Sequence, residues 1–114
     1  MQMSERKVGG VTIIDLSGRL VAGDGIGRLT DKVTSLVFQG EKQIVLNVGE
    51  LSYVDSAGLG EMISAHGVAR KGGGTVKLAN LGKRLKDLLV MTKLLNVFES
   101  HDTEAAAVAS FSRT

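Results

Sequence analysis

The tract Tyr53 to Met62 reads YVDSAGLGEM, placing a hydroxyl, Ser56, directly after a carboxylate, Asp55, and just ahead of two glycines, Gly58 and Gly60. An Asp-Ser pair suits the start of a helix, where a short polar side chain accepts hydrogen bonds from backbone N–H groups that otherwise lack partners. Two glycines in the same turn work against a helix, each costing roughly 1 kcal/mol relative to alanine. Bare backbone at 58 and 60 therefore predicts a close approach by another surface. Two chemistries are open to Ser56. As a nucleophile it needs a positioned base and an oxyanion hole. The sequence signals neither, and G-x-S-x-G is absent because Val54 stands two residues before the serine. As a phosphate acceptor it suits the position, because at a helix N-terminus the dipole and free N–H groups favour added negative charge. The plainer alternative is a helix cap and nothing more.

Two other segments compete for a functional role. Gly23-Asp24-Gly25-Ile26-Gly27 is a glycine-rich turn between a strand and a helix, as in dinucleotide-binding folds. The spacing fails, because a G-x-G-x-x-G match from Gly23 requires glycine where Arg28 stands, and a P-loop lysine is missing as well. The segment reads as a connecting loop. Lys83, Arg84 and Lys86 could meet an acidic partner, but lysines on a helix face are ordinarily just solvated.

Composition narrows the classes further. The 114 residues fit one domain, and 43% hydrophobic with 23% charged residues is ordinary for a globular chain. With three Phe, one Tyr and no Trp there is no row of aromatics to stack on single-stranded bases, and a net charge of +2 is too small for a phosphate-backbone footprint. No nucleic-acid partner is expected. The absence of cysteine excludes disulfides and thiol chemistry, and His66 and His101 alone make no metal site, so no metal or cofactor is expected. No apolar run approaches the ~18 residues of a membrane span, which predicts a cytoplasmic protein without membrane insertion.

The elements that must position the Asp55-Ser56 turn alternate along the chain. Val11 to Leu16 (VTIIDL) reads as a buried strand ended by Ser17-Gly18, with Val8 opening a hairpin strand across Gly9-Gly10. Ile26, Leu29, Val33, Leu36 and Val37 recur at helical spacing, and Gly40 closes that helix. Gln43 to Val48 (QIVLNV) is apolar enough to be covered on both faces of a parallel sheet. After the turn, Leu59, Met62, Ile63, His66 and Ala69 mark a second helix that stops at Gly72. Thr75 to Ala79 is a strand, Leu81, Leu85, Leu88 and Leu89 a third helical stripe, Val97 to Ser100 a short strand, and Glu104 to Phe111 a last helix. Such alternation predicts an α/β fold with right-handed crossovers and a mainly parallel sheet.

The segment LNVGELSYVDSAGLG resembles the signature of the STAS family, in particular its bacterial anti-sigma factor antagonists, whose D-S-S/T/A-G-L-G opens a helix after a strand. IIDLSGRL, GGGTVKLANL and LLVMTKLLNVFES resemble further family segments, so the likeness runs over about residues 8 to 112. It implies a single STAS domain over 1–114, with four to five strands, one of them an early hairpin strand, and about four helices. It also implies partner switching. An unphosphorylated antagonist binds an anti-sigma factor that doubles as a serine kinase, phosphorylation of the motif serine releases it, and a serine phosphatase reverses the step. That serine maps onto Ser56, and the resemblance places Asp55, Ser56, Ala57, Gly58, Leu59, Gly60 and Asp24 at the partner contact. The chain itself is then a binding protein and not an enzyme. The alternative is a non-switching scaffold or accessory module in a stressosome-like or transport assembly. Two departures stand out: Gly18-Arg19-Leu20-Val21 replaces the family's acidic G-E-L-D, and Ala57 leaves one hydroxyl in the turn.

Overall fold

The computed structural model describes residues 1–112. Five strands, β1 (Gln2–Val8), β2 (Val11–Leu20), β3 (Gln43–Val54), β4 (Thr75–Ala79) and β5 (Glu99–His101), lie side by side in chain order. β1 and β2 are antiparallel, joined by Gly9 and Gly10, both at positive φ as a tight hairpin turn requires. The other pairings are parallel. The helices are α1 (Arg28–Phe38), α2 (Ser56–Lys71), α3 (Lys83–Met91) and α4 (Glu104–Ser110).

Period-2 alternation divides the core in two. Ile14 and Leu16 of β2, Ile44, Leu46 and Val48 of β3, and Val76 and Leu78 of β4 pack with Leu29, Val33 and Leu36 of α1, with Leu59, Met62, Ala65 and Ala69 of α2, and with Leu89 of α3. Val11, Ile13, Val45 and Ala79 point to the opposite face and are covered by Ala107 of α4. A sheet filled on both faces accounts for the unbroken apolar runs in β2 and β3. The exposed outer strand β1 carries Glu5, Arg6 and Lys7, charges of the kind that protect a free edge from pairing with another chain. Arg6 also grips Asp15 and Glu104 at 2.6 Å each, fastening the start of α4 across the sheet.

Several boundaries differ from the sequence reading. β2 does not stop at Ser17-Gly18 but continues to Leu20, with register shifts on either side of a Gly18 at φ 85°. β3 runs on to Val54, since the polar residues after Val48 sit on a ribbon that β4 does not reach. Ile26 precedes α1 and is exposed, and the strand expected at Val97 to Ser100 is Glu99–His101. α4 ends at Ser110, one residue short of the expected Phe111.

Candidate functional site

The site is built at the tip of that ribbon. β4 pairs with β3 only as far as Asn47, whereas β2 and β3 stay paired through Arg19 with Tyr53 and Leu20 with Val54. The loop after β2 and the turn after β3 therefore emerge together. Asp55 is extended at φ −96°, ψ −174°, and caps α2: its Oδ1 accepts from the Gly58 N–H at 2.9 Å. Its Oδ2 accepts from the Ala22 N–H at 3.0 Å, and its own N–H donates to the Leu20 carbonyl at 3.3 Å. The backbone N–H groups of Ala22 and Gly58 hold the carboxyl below its ordinary pKa, so it stays charged.

Because Asp55 does the capping, Ser56 is the first residue of the helix proper, and the reading of Ser56 as the cap is corrected. It is exposed, and among the described residues its side chain takes part in no hydrogen bond. Ala57 is half-buried and Gly60 is exposed. Gly58 and Leu59 are buried, so neither offers surface to a visitor. The backbone that needs a bare Gly58 belongs to this same chain: a β carbon there would overlap the carbonyl oxygen of Leu20. Gly60 has open space where a β carbon would stand. Of the two glycines, only Gly60 leaves room for an outside surface. Asp24 is exposed in a turn closed by its N–H donating to the Val21 carbonyl, and its carboxylate lies 2.9 Å from the Met1 amino group. It reaches the Ser56 region only through its loop, which Asp55 holds at Ala22. Arg19, one of the two departures from the acidic family pattern, lies over the Tyr53 ring at 5.9 Å.

A second carboxylate secures the same loop, and the sequence reading missed it. Glu61 on α2 is 5% exposed; its Oε2 accepts from the N–H groups of Gly27, Leu29 and Thr30 at 2.7, 3.0 and 3.2 Å, and its Oε1 from the Thr30 hydroxyl at 2.9 Å. It thereby caps α1 from a neighbouring helix, where Gly27 has no side chain to do so. The sequence carried no local signal for it, because at helical spacing Glu61 falls outside the apolar stripe of Leu59, Met62, Ile63, His66 and Ala69. Beside the turn, the open edge of β3 and α3 enclose an apolar groove of about 280 Å³ with Leu51, Tyr53, Val54, Leu85, Leu88 and Met91 along it. Arg84 spans its rim to the Ser52 carbonyl at 3.4 Å, and Lys83 pairs with Asp87, so two of the three basic residues of α3 have local partners.

The STAS domain family matches residues 2–107. The chain belongs to the STAS domain family. BtrV of Bordetella bronchiseptica, named for the anti-sigma factor antagonists, is 27% identical over 111 residues, which cover 97% of this chain and 95% of that one. The anti-sigma-B factor antagonist of Bacillus subtilis is 34% identical over 71 residues, 62% of this chain and 64% of that one. Among solved structures, the anti-sigma factor antagonist SpoIIAA superposes in its unphosphorylated form with a TM-score of 0.74 at 22% identity, covering 99% of this STAS chain and all of its own. The phosphorylated form of SpoIIAA, described as a Bacillus cell fate determinant, gives 0.72 at 21% identity, covering 96% and 99%. At these identities the structural likeness is one of fold. The five-stranded, mostly parallel sheet with its early hairpin and four helices is the STAS arrangement that the sequence motifs imply. Among the described residues no helix is long and apolar enough to cross a membrane, and no group of three His, Asp or Glu side chains gathers to hold a metal.

Proposed function

We propose that this STAS chain is an anti-sigma factor antagonist that works by partner switching, with Ser56 accepting the switching phosphate. Unphosphorylated, it binds an anti-sigma factor that is also a serine kinase and so frees a sigma factor. Phosphorylated, it is released, and a serine phosphatase returns it to the binding state. The setting is the cytoplasm, and the chain contributes a surface and an acceptor group but no catalysis and no cofactor.

The observation that carries this reading is the division of roles at the head of α2. Asp55 caps the helix with both carboxylate oxygens engaged, which leaves the neighbouring Ser56 hydroxyl exposed and free to react. A phosphate there adds roughly 1.5 to 2 negative charges beside a carboxylate already fixed as an anion. In the free chain water and the helix dipole accommodate that charge. Against a docked partner the same charge is desolvated and repelled, so release follows without unfolding. Asp55, Ser56, Ala57 and Gly60 with Asp24 in the adjoining loop supply the contact, the apolar groove extends it, and Gly58 and Leu59 support it from beneath. The resemblance to relatives named as antagonists, one of them solved with and without phosphate, supports the same reading.

Incubation with the cognate kinase and ATP, followed by phosphosite mapping, tests it. Phosphate should appear on Ser56 and disappear in Ser56→Ala. Label that persists on Ser52 or Ser64 in that variant would refute the assignment, and a kinase-binding chain that is never labelled would favour an accessory module.

A further inference from the structure

A separate cleft of about 540 Å³ opens between the C-terminal half of α2, α3 and the segment leading into β5. It is unlike the apolar groove beside Ser56. His66 and Arg70, one turn apart on α2, face it together with Lys86 of α3, and Asn96 and Ser100 add polar groups. Arg70 and Lys86 have no carboxylate within ion-pair distance among the described residues. Among the described residues the one acid along the cleft, Glu99, is already committed: its Oε2 lies 2.7 Å from His101 Nε2 and 3.0 Å from Lys77 Nζ. Three basic side chains thus line a polar cleft whose one carboxylate among the described residues is paired with Lys77 and His101.

The His66 ring meets Phe98 edge-on at 5.3 Å, and its Nδ1 is buried without a partner. Burial, and then the positive charge of Arg70, push its pKa below the ordinary value. Arg70 therefore disfavours a second positive charge at the ring, a repulsion that a bound anion would relieve.

We propose that this cleft binds a compact phosphate dianion, either inorganic phosphate or the phosphoryl group of a small phosphomonoester. The guanidinium of Arg70 offers a planar fork to two oxygens, Lys86 a point charge, and Asn96 and Ser100 further hydrogen bonds. The volume falls in the range of small-molecule pockets, roughly 300–1,000 Å³. His66 lies ten residues beyond Ser56 on the same helix, about 15 Å at 1.5 Å per residue, so the site is distinct from the phosphate-accepting turn and its failure would leave the partner-switching reading untouched. By linkage, a dianion that favours the imidazolium must raise the His66 pKa and bind more tightly as the ring protonates. Burial and Arg70 from α2 oppose that protonation, Lys86 of α3 lines the same cleft, and Glu99 from β5 is engaged elsewhere.

The test is an NMR titration of the full chain with inorganic phosphate and, separately, glycerol 3-phosphate, each against sodium chloride at matched ionic strength. Saturable shifts at Arg70, Lys86 and Asn96 and an upward move of the His66 pKa are expected with the phosphates alone. The Arg70→Gln/Lys86→Gln double variant should weaken binding about tenfold or more, roughly 1.4 kcal/mol, with an unchanged melting temperature because both side chains are exposed. Tighter binding of glycerol 3-phosphate would assign the site to phosphomonoesters, and equal binding to free phosphate. Non-saturating shifts, the same response to chloride, or full binding by the double variant would overturn the proposal.

Discussion

Gly58 abuts the backbone of Leu20 so closely that a β carbon at 58 would lie 2.8 Å from the Leu20 carbonyl carbon and 2.9 Å from its Cγ. The helix that begins at Ser56 is thereby seated directly on the last residue of β2. Two glycines that look alike in sequence consequently differ in energy. Gly58→Ala should destabilise the domain by about 1–3 kcal/mol, as overpacking against fixed backbone does. Gly60→Ala should stabilise it by up to about 1 kcal/mol, because its site is helical, exposed and open. Urea unfolding midpoints of the two variants check this, and the reverse order would contradict the packing described.

Glu61 gives a second, sharper stability test. Glu61→Ala leaves the N–H groups of Gly27, Leu29 and Thr30 without their acceptor. A fully buried donor stranded in this way costs about 1–3 kcal/mol; of the three only Leu29 is fully buried, and Gly27 and Thr30, partly exposed, regain some water. A total loss of about 3 kcal/mol is expected, with Glu61→Gln losing less because its carbonyl still accepts. Hydrogen exchange should show faster amide exchange confined first to residues 27–30. A loss below about 0.5 kcal/mol, the size of an ordinary surface change, would contradict the capping role.

The fold was legible where periodicity and glycine punctuation agree, as in β4 at Thr75–Ala79 and in α2 from Ser56 to Lys71. The Asp55-Ser56 turn was legible as a helix start because a short acid before a helix has a local cause. What escaped was non-local. The overlap of Gly58 with Leu20 and the capping of α1 by Glu61 join residues more than thirty positions apart, and no local pattern encodes either. The ends of β2 and β3 were also missed. Their last residues pair with each other on a half-exposed ribbon, so the apolar runs that mark buried strands fade before pairing ends.

Acid should loosen the sheet edge at β5. His101 and then Lys77 hold Glu99 at a pKa of about 2, below its ordinary 4.5. Protons bind the unfolded chain more readily, so this contribution is complete above pH ~4.5 and is lost as the pH falls toward ~2. Glu99→Gln should lower stability slightly at neutral pH and make the loss between those limits shallower. The effect is small because the carboxylate is half exposed and screened by solvent. Asp15, held low chiefly by Arg6, acts in the same direction, so part of the acid dependence should remain. Unfolding midpoints at neutral pH and at about pH 3 decide it, and an unchanged slope would separate Glu99 from acid stability.

The measurement closest to the central claim is a calorimetric titration of the cognate anti-sigma kinase with the wild-type chain, Ser56→Ala and Ser56→Asp, alongside their melting temperatures. Aspartate at the first helical position is well tolerated near the positive end of a helix, so all three should melt within a few degrees of one another, a difference of about 1 kcal/mol at most. Ser56→Ala should bind as the wild type does, and Ser56→Asp should bind about a hundredfold more weakly, roughly 2.7 kcal/mol. Wild-type affinity in Ser56→Asp, or a loss of binding that merely follows a loss of folding, would contradict the switch.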